Sequence, residues 1–204
     1  IIAKSIQNGN KLLICGNGGS AADAQHLAAE LLVRLKPKNN REGIPAIALA
    51  MDTSTITACG NDFGYEVLFE RMVETLGFKG DVLLGITTSG NSDNVNRALT
   101  VARKNGIVCL GFLGSGGGSS PELCDEFFLA PSDDTARIQE SHITAGHVLM
   151  ELVENILIES LKDKPNYTNV EGISTKDFIT NDRQRIKDID SMPSPYLDGL
   201  FDKL

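Results

Sequence analysis

Short apolar runs bounded by glycines alternate along the chain with segments whose apolar residues recur three or four positions apart. The first pattern is typical of strands buried on both faces, and the second is typical of helices. The predicted strands are Lys11–Cys15, Pro45–Met51, Asp81–Thr87, Ile107–Leu113 and Glu126–Ala130. The predicted helices are a short one at the N-terminus, then Ser20–Leu35, Gly64–Leu76, Ser92–Asn105 and Thr135–Leu161.

Strands that are apolar throughout and alternate with helices predict a parallel sheet that is covered on both faces. Because crossovers between parallel strands are right-handed, the expected architecture is α/β, a doubly wound parallel sheet sandwiched by helices. We expect one domain over residues 1–161. Residues 162–204 are polar and contain Pro165, Pro193 and Pro195, so we expect an irregular C-terminal extension. Because helical spacing is already present at Ile1, we also expect a further segment to precede it.

The charge and cysteine content narrow the class of protein. The formal net charge is -8 and the pI is about 4.9, which argues against nucleic acid or an anionic membrane as a partner. The printed sequence has no signal-peptide pattern and no apolar run of membrane-spanning length, so we expect neither a leader nor a membrane span. The cysteines form no CxxC pair, so we predict buried free thiols and a cytoplasmic protein. They are Cys15, Cys59, Cys109 and Cys124.

Three glycine- and serine-rich loops follow predicted strands, namely Gly16–Ser20, Thr87–Ser92 and Gly114–Ser120. Ligands of doubly wound sheets bind beyond the carboxyl ends of the strands, where backbone N–H groups and hydroxyls hold small anions. The first loop has neither the third glycine of a dinucleotide turn nor the lysine of a P-loop. Ser20 is predicted to be the N-cap of the following helix. An ordinary turn is the alternative for each loop.

The chain has three histidines. His26 and Glu30 are four residues apart on a predicted helix, so their side chains share one face and could share a metal. His142 falls within an apolar stripe of the last helix and is expected to be structural. That stripe is predicted to be core or subunit interface and consists of Ile138, His142, Ala145, Leu149, Leu152 and Ile156.

A second face of the last helix carries Gln139, Gly146 and His147. Gln139 and His147 lie about 12 Å apart along the helix axis. They share one metal only if it lies between them, over the intervening turn; otherwise they serve sites on different subunits. Gly146 would permit the close approach of another element.

Four motifs carry a family resemblance: Cys15–Ser20 followed by His26 and Glu30, then Gly60–Gly64, then Thr87–Ser92, and then Arg137–Glu140 followed by His147. With them the chain resembles the sugar isomerase (SIS) domains, and among these the phosphoheptose isomerase family. The resemblance covers residues 11–161. It implies a flavodoxin-like three-layer fold, a homotetramer with sites between subunits, and one divalent metal per subunit, usually zinc.

The resemblance also assigns site residues. The positions that match metal ligands are His26, Glu30, Gln139 and His147. The positions that match substrate-binding residues, with Ser20 of the same loop, are Asn17, Gly18, Gly19, Ser20, Glu30, Asn61, Asp62, Thr87, Thr88, Ser89, Ser92 and Gln139. Thr87 stands where the family frequently has serine, which keeps the hydroxyl.

The implied reaction converts sedoheptulose 7-phosphate to D-glycero-D-manno-heptose 7-phosphate through an enediol, for heptose synthesis in surface glycans such as lipopolysaccharide. It requires a base, an acid and stabilisation of the enediolate. We hypothesise that Glu30 is the base and His147 the acid. A residue firmly bound to zinc is a poor proton acceptor, so either coordination loosens during turnover or one of the two is solely a ligand.

Two other functions are compatible with the resemblance. Some SIS proteins are not enzymes: one branch binds the replication initiator protein, and another senses sugar phosphates within regulators. Retention of the four ligand positions favours the enzyme, because a scaffold needs none of them. The second alternative is an isomerase of another sugar phosphate, such as a hexosamine phosphate. In the tail, Met192–Phe201 resembles a linker found in some cobalamin-dependent radical SAM enzymes, with an ordinary irregular tail as the alternative.

Overall fold

The computed structural model describes the backbone of residues 1–162 and the side chains of residues 1–160. Five parallel strands form one sheet in the order β2-β1-β3-β4-β5. They are β1 (Leu12–Gly16), β2 (Ala46–Ala48), β3 (Val82–Thr87), β4 (Val108–Leu113) and β5 (Glu126–Leu129). The α-helices are α1 (Ile2–Gln7), α2 (Gly19–Leu32), α3 (Thr53–Asp62), α4 (Leu68–Leu76), α5 (Asp93–Lys104) and α6 (Thr135–Lys162).

Alternate residues of β1 to β4 contribute to two separate cores, which explains why these strands are apolar throughout, whereas β5 is exposed along its length. Ile14 and Leu84 pack with α1, α2 and α6 on one face of the sheet. Leu13 and Leu83 pack with α3, α4 and α5 on the other face. The predicted doubly wound sheet sandwiched by helices is therefore confirmed, and its strand order is that of flavodoxin-like folds.

The main element that the sequence pattern did not predict is α3. Its sequence is rich in threonine and contains Gly60, so it has little apolar periodicity and low helix propensity. The Asp52 carboxylate caps it by accepting a hydrogen bond from Ser54 N at 3.0 Å. The segment predicted as one helix from Gly64 to Leu76 begins instead with a 3₁₀ turn at Tyr65–Val67.

The cysteine prediction is largely confirmed. Cys15, Cys59 and Cys109 are buried free thiols, whereas Cys124 is half-buried. Burial raises the pKa of the Cys109 thiol to about 12 and that of Cys124 to about 11.

The predicted extension at residues 162–204, including the linker-like Met192–Phe201, lies outside the described residues except for Lys162. Within the described part of the chain, no helix combines the length and the apolarity needed to cross a membrane.

The close packing of α2 against α6 depends on a glycine, as the sequence suggested. A Cβ atom placed on Gly146 would lie 2.7 Å from Cδ2 of Leu27, well inside van der Waals contact. The missing side chain at Gly146 therefore lets the two helices approach beside the buried Leu27.

We expect Gly146→Val to lower the free energy of unfolding by about 1–3 kcal/mol, because the new side chain overpacks the α2–α6 contact. The matched control is Gly60→Val, since Gly60 is also helical and a Cβ there meets nothing within 4 Å. Urea denaturation should show the control to be as stable as the parent or slightly more so. Equal destabilisation of the two variants would contradict the close-packing argument.

Candidate active site

Two of the glycine- and serine-rich loops lie side by side at the carboxyl edge of the sheet. They follow β1 and β3, which are adjacent strands. From β1 the chain continues through α2 to β2 on one side, and from β3 it continues through α5 to β4 on the other. The crevice between such diverging connections is the usual ligand site of a doubly wound sheet.

The helices that begin at these two loops lack side-chain caps at their N-termini, although in α2 the Ser20 and Ala21 N–H groups donate to Asn17 O and Gly18 O. Neither Gly18 before α2 nor Ser92 before α5 makes a side-chain capping hydrogen bond. By contrast, Asp52 caps α3, and Asp134 accepts a hydrogen bond from Ala136 N at 2.8 Å at the start of α6. Uncapped N-termini carry N–H donors and the positive end of the helix dipole, which suits a phosphate.

This arrangement corrects one expectation. Ser20 is not the N-cap of α2, because the helix already begins at Gly19, and Gly18 takes the capping position with φ +55°. Only glycine adopts such a backbone conformation readily. Ser20 is buried behind the loop, 4% exposed.

Within the second loop, the hydroxyl of Thr87 organises the turn. Thr87 is 3% exposed, its Oγ1 lies 2.9 Å from Oγ of Ser92, and it accepts a hydrogen bond from Gly90 N at 3.2 Å. Ser89 is exposed and Thr88 half-buried. Thr87 therefore stabilises the loop from its buried side through contacts with Ser92 and Gly90, whereas the Ser89 side chain is exposed to solvent.

The third loop buttresses the second. Backbone N–H groups of Ser119 and Ser120 both donate to Gly90 O at 3.0 Å. A Cβ atom on Gly90 would lie 1.8 Å from Gly117 O, and Gly90 has φ +65°. The loop after β4 is therefore packed against the loop after β3.

Two residues that the sequence analysis did not single out hold Asn17. The Asn17 and Asn94 side-chain amides form a reciprocal pair at 2.8 and 2.9 Å. Tyr65 Oη also donates to Asn17 Oδ1 at 2.9 Å. Asn94 is 4% exposed. The sequence signal for Asn94 was its polar side chain on the otherwise apolar, buried face of α5.

Helices α2 and α6 run parallel, which places two predicted site pairs at matching depths. At their N-terminal ends, a Cβ atom on Gly19 would lie 2.4 Å from Nε2 of Gln139, so the Gln139 amide rests against the α2 backbone. About two turns further along both helices, His26 faces His147. Gln139 and His147 both face α2 of the same chain, and the prediction that they share one metal stays a prediction.

Three predicted ligands converge between the two helices. Nε2 of His26 lies 2.8 Å from Nε2 of His147 and 3.4 Å from Oε1 of Glu30. The ligand atoms of all three lie within 4.8 Å of one another. The structure does not place the Gln139 amide in this group, and its role as a fourth ligand stays a prediction.

This donor set fits a divalent metal. Two imidazole nitrogens and a carboxylate oxygen are the protein ligands of many catalytic zinc sites. Tetrahedral bonds of 2.0–2.1 Å put neighbouring ligand atoms about 3.4 Å apart. The distance from His26 Nε2 to Glu30 Oε1 matches this value, and the 2.8 Å from His26 Nε2 to His147 Nε2 is shorter. The set is equally suited to other transition metals, so it defines a metal site without fixing the ion.

Asp23 lies one turn before His26 and was not predicted. Its Oδ2 is buried without a hydrogen-bond partner among the described residues. Burial raises the pKa of Asp23, while the nearby His26 lowers it. The only available sequence signal was its position three residues before His26 on the same helix face.

Asn61 and Asp62 end α3 and are exposed. Within the described chain, their side-chain hydrogen bonding is mutual, from Asn61 Nδ2 to Asp62 Oδ1 at 2.7 Å. They precede Tyr65, which contacts Asn17, and their predicted role in binding substrate stays a prediction.

His142 takes the structural role expected of it. It is fully buried near the rings of Phe112 and Phe128, and its Nε2 lies 3.0 Å from Leu113 O. Because a carbonyl only accepts, Nε2 carries the proton. Nδ1 is buried and unpartnered within the described structure. Of its stripe, Leu152 and Ile156 are exposed, so the stripe is core at one end only.

Comparisons with known proteins identify the family of the chain. The sequence model of the SIS domain matches residues 1–114. The phosphoheptose isomerase of Aliarcobacter butzleri is 54% identical over 157 residues, covering 77% of this chain and 82% of that protein. The enzyme of Aquifex aeolicus is 55% identical over 159 residues, covering 78% and 82%. The solved phosphoheptose isomerase of Neisseria gonorrhoeae has a TM-score of 0.70 at 40% identity, covering 75% and 80%. The chain therefore belongs to the SIS domain family, and within it to the phosphoheptose isomerases.

We expect Asn94→Ala to lower the free energy of unfolding by about 1–3 kcal/mol, because the Asn17 amide loses its buried partner. Tyr65→Phe is the control, since it removes a single hydrogen bond of an exposed ring and should cost less than about 1 kcal/mol. Denaturant titration measures both. An Asn94→Ala protein as stable as the control would show that the amide pair is dispensable.

His142 should make the protein less stable in mild acid. Burial lowers the pKa of His142 below its ordinary 6.5, while the hydrogen bond to Leu113 opposes this. The unfolded chain therefore gains a proton first as the pH falls below 6.5, and stability declines down to the folded-state pKa. In chelated protein, Tm should fall less between about pH 7.5 and 5.5 in His142→Gln than in the parent. Parallel Tm profiles would contradict this assignment.

Proposed function

We propose that the chain isomerises sedoheptulose 7-phosphate to D-glycero-D-manno-heptose 7-phosphate and that it requires a divalent metal, zinc by preference. The observation that carries the proposal is the convergence of His26, Glu30 and His147 beside a crevice edged by two uncapped helices. Close relatives named phosphoheptose isomerase support the choice of substrate. The same triad favours an enzyme over a non-catalytic SIS regulator, which would need no metal ligands.

The phosphate is assigned to the Thr87–Ser92 loop and the start of α5. There the free N–H groups and the exposed Ser89 hydroxyl supply neutral donors. The loop after β1, with Asn17, Gly18 and Gly19, would then bind hydroxyls of the sugar. This arrangement directs the carbonyl end of the substrate toward the groove between α2 and α6.

The reaction moves a proton between the first two carbons. A base removes a proton from C1 of the ketose, and the enediol that forms is reprotonated at C2 to give the aldose. We assign Glu30 as the base and His147 as the acid that serves the oxygens. His26, Glu30 and His147, with Gln139 as the predicted fourth ligand, would hold the metal. When bound, the metal polarises the carbonyl and hydroxyl oxygens.

The setting in the cell and the assembly are part of the proposal. Buried, unpaired cysteines support a cytoplasmic protein. A homotetramer with sites between subunits is supported by exposed apolar side chains on β5 and on α6, such as Phe127, Leu152 and Ile156. They line a groove of roughly 360 Å³. The product would feed heptose synthesis for surface glycans such as lipopolysaccharide.

We expect Glu30→Gln to lower kcat at least about a hundredfold, because a general base contributes that much. The matched control is Glu159→Gln, the same change on the exposed side of α6. The measurement is turnover of sedoheptulose 7-phosphate, with metal content and oligomeric mass determined on the same samples. Turnover of the parent should fall on chelation and return with zinc.

The metal content distinguishes the two roles of Glu30. Lost turnover with metal retained indicates a base, whereas joint loss of metal and turnover indicates a ligand. Full turnover by Glu30→Gln would reject both. A metal-loaded parent that turns over a hexosamine phosphate but not the heptulose would reject the substrate.

A further inference from the structure

The connection between α2 and β2 is tied to α6 by a buried polar contact outside the predicted site. Arg41 Nε lies 2.7 Å from Oε1 of Glu154, and Asn39 Nδ2 donates to Oε2 of Glu154 at 2.6 Å. The side chains of Arg41 and Glu154 are 5% and 0% exposed. In the same connection, Lys36 forms an ion pair with Glu151, which lies on α6 with Glu154.

The rest of the Arg41 guanidinium binds the end of α2. Arg41 Nη2 donates to Glu30 O at 2.9 Å, and Nη1 donates to Leu31 O at 2.8 Å. The last carbonyls of a helix have no partner within the helix. One side chain therefore caps the turn that contains Glu30 and at the same time holds a carboxylate of α6.

Glu154 lies seven residues after His147, and seven residues complete nearly two turns, so both project from the same side of α6. The contact thus continues the line along which α6 faces α2. Burial raises the pKa of Glu154, but hydrogen bonds from Arg41 and Asn39 lower it more, and the net direction is downward. The carboxylate is thereby kept ionised opposite the guanidinium.

We propose that Arg41 is a positioning residue, which holds the C-terminal turn of α2 on α6 so that Glu30 stays within ligand distance of His26 and His147. The inference rests on the proposed metal-dependent function. Stability alone is a weak reason for such a contact, because a buried ion pair gains little over an apolar pair of similar volume. The fork of arginine suits the task, since it bonds two carbonyls and a carboxylate at fixed angles, which a lysine ammonium does not reproduce.

The test measures metal affinity directly, with Zn²⁺ in competition with a chelator and with the visible spectrum of bound Co²⁺. Arg41→Met should raise the Kd for Zn²⁺ about 10- to 100-fold and alter the Co²⁺ spectrum, as expected when support of a ligand is lost. Glu154→Gln should act in the same direction. Arg41→Lys should fall between Arg41→Met and the parent.

The control is Lys11→Met. It removes another buried ion pair, Lys11 Nζ to Asp81 Oδ2 at 2.6 Å, between the segments that precede β1 and β3. It should lower Tm and leave the Kd for Zn²⁺ within about twofold of the parent, since that pair holds no ligand-bearing helix.

Equal Kd values and Co²⁺ spectra in the parent, Arg41→Lys and Glu154→Gln would overturn the inference, even if Tm falls or Arg41→Met fails to fold. A parent that binds no Zn²⁺ would overturn the proposed metal site and the inference with it. A parent that binds Zn²⁺ without turning over the heptulose, while Arg41→Lys binds more weakly, would reject the proposed activity and support the positioning role.

Discussion

The parallel packing of α2 on α6 is the contact on which the candidate active site depends. His26 and Glu30 lie on one helix and His147 on the other, so no ligand set exists unless the two helices lie close and at matching depth. Close approach is permitted where Gly146 meets Leu27. Two contacts align the helices along their axes. Gln139 rests against Gly19 at the N-terminal end of α2, and Arg41 bonds both Glu30 O and Glu154 at its C-terminal end.

The proposed phosphate-binding part of the site lies at the carboxyl edge of the sheet and uses loops instead of helix packing. Its strand order makes the loops after β1 and β3 neighbours, and the helices that follow leave their first N–H groups without side-chain caps. In the proposed site the backbone N–H groups would bind the phosphate, so a chain with a net charge of -8 needs no basic patch to accommodate a sugar phosphate. The proposed metal ligands are instead side chains of α2 and α6, and the packing of these helices fixes their positions.

Two of the buried polar contacts in this framework join specific partners, whereas Asp23 Oδ2 and His142 Nδ1 have none among the described residues. Asn17 pairs with Asn94, and Glu154 pairs with Arg41 and Asn39. Such contacts add less to stability than to geometry, because desolvation offsets much of their attraction. Apolar side chains of β5 and α6 are exposed in the single chain. The proposed tetramer would cover such an exposed apolar surface.

The strands, most helices and the doubly wound sheet could be predicted from the sequence alone. Buried strands appear as continuous apolar runs, and amphipathic helices appear as apolar residues three or four positions apart. It also indicated His26 with Glu30, one turn apart on one helix, and the family resemblance added Gln139 and His147 as ligand positions. The folded chain adds what local spacing does not encode: the distances that bring His147 to this pair, the contact of Gln139 with Gly19, and the buried partners Asn94 and Arg41. Helix α3 was not predicted, because its threonine-rich sequence has no apolar stripe. Its start is set by the Asp52 cap, which is a local contact that periodicity does not reveal.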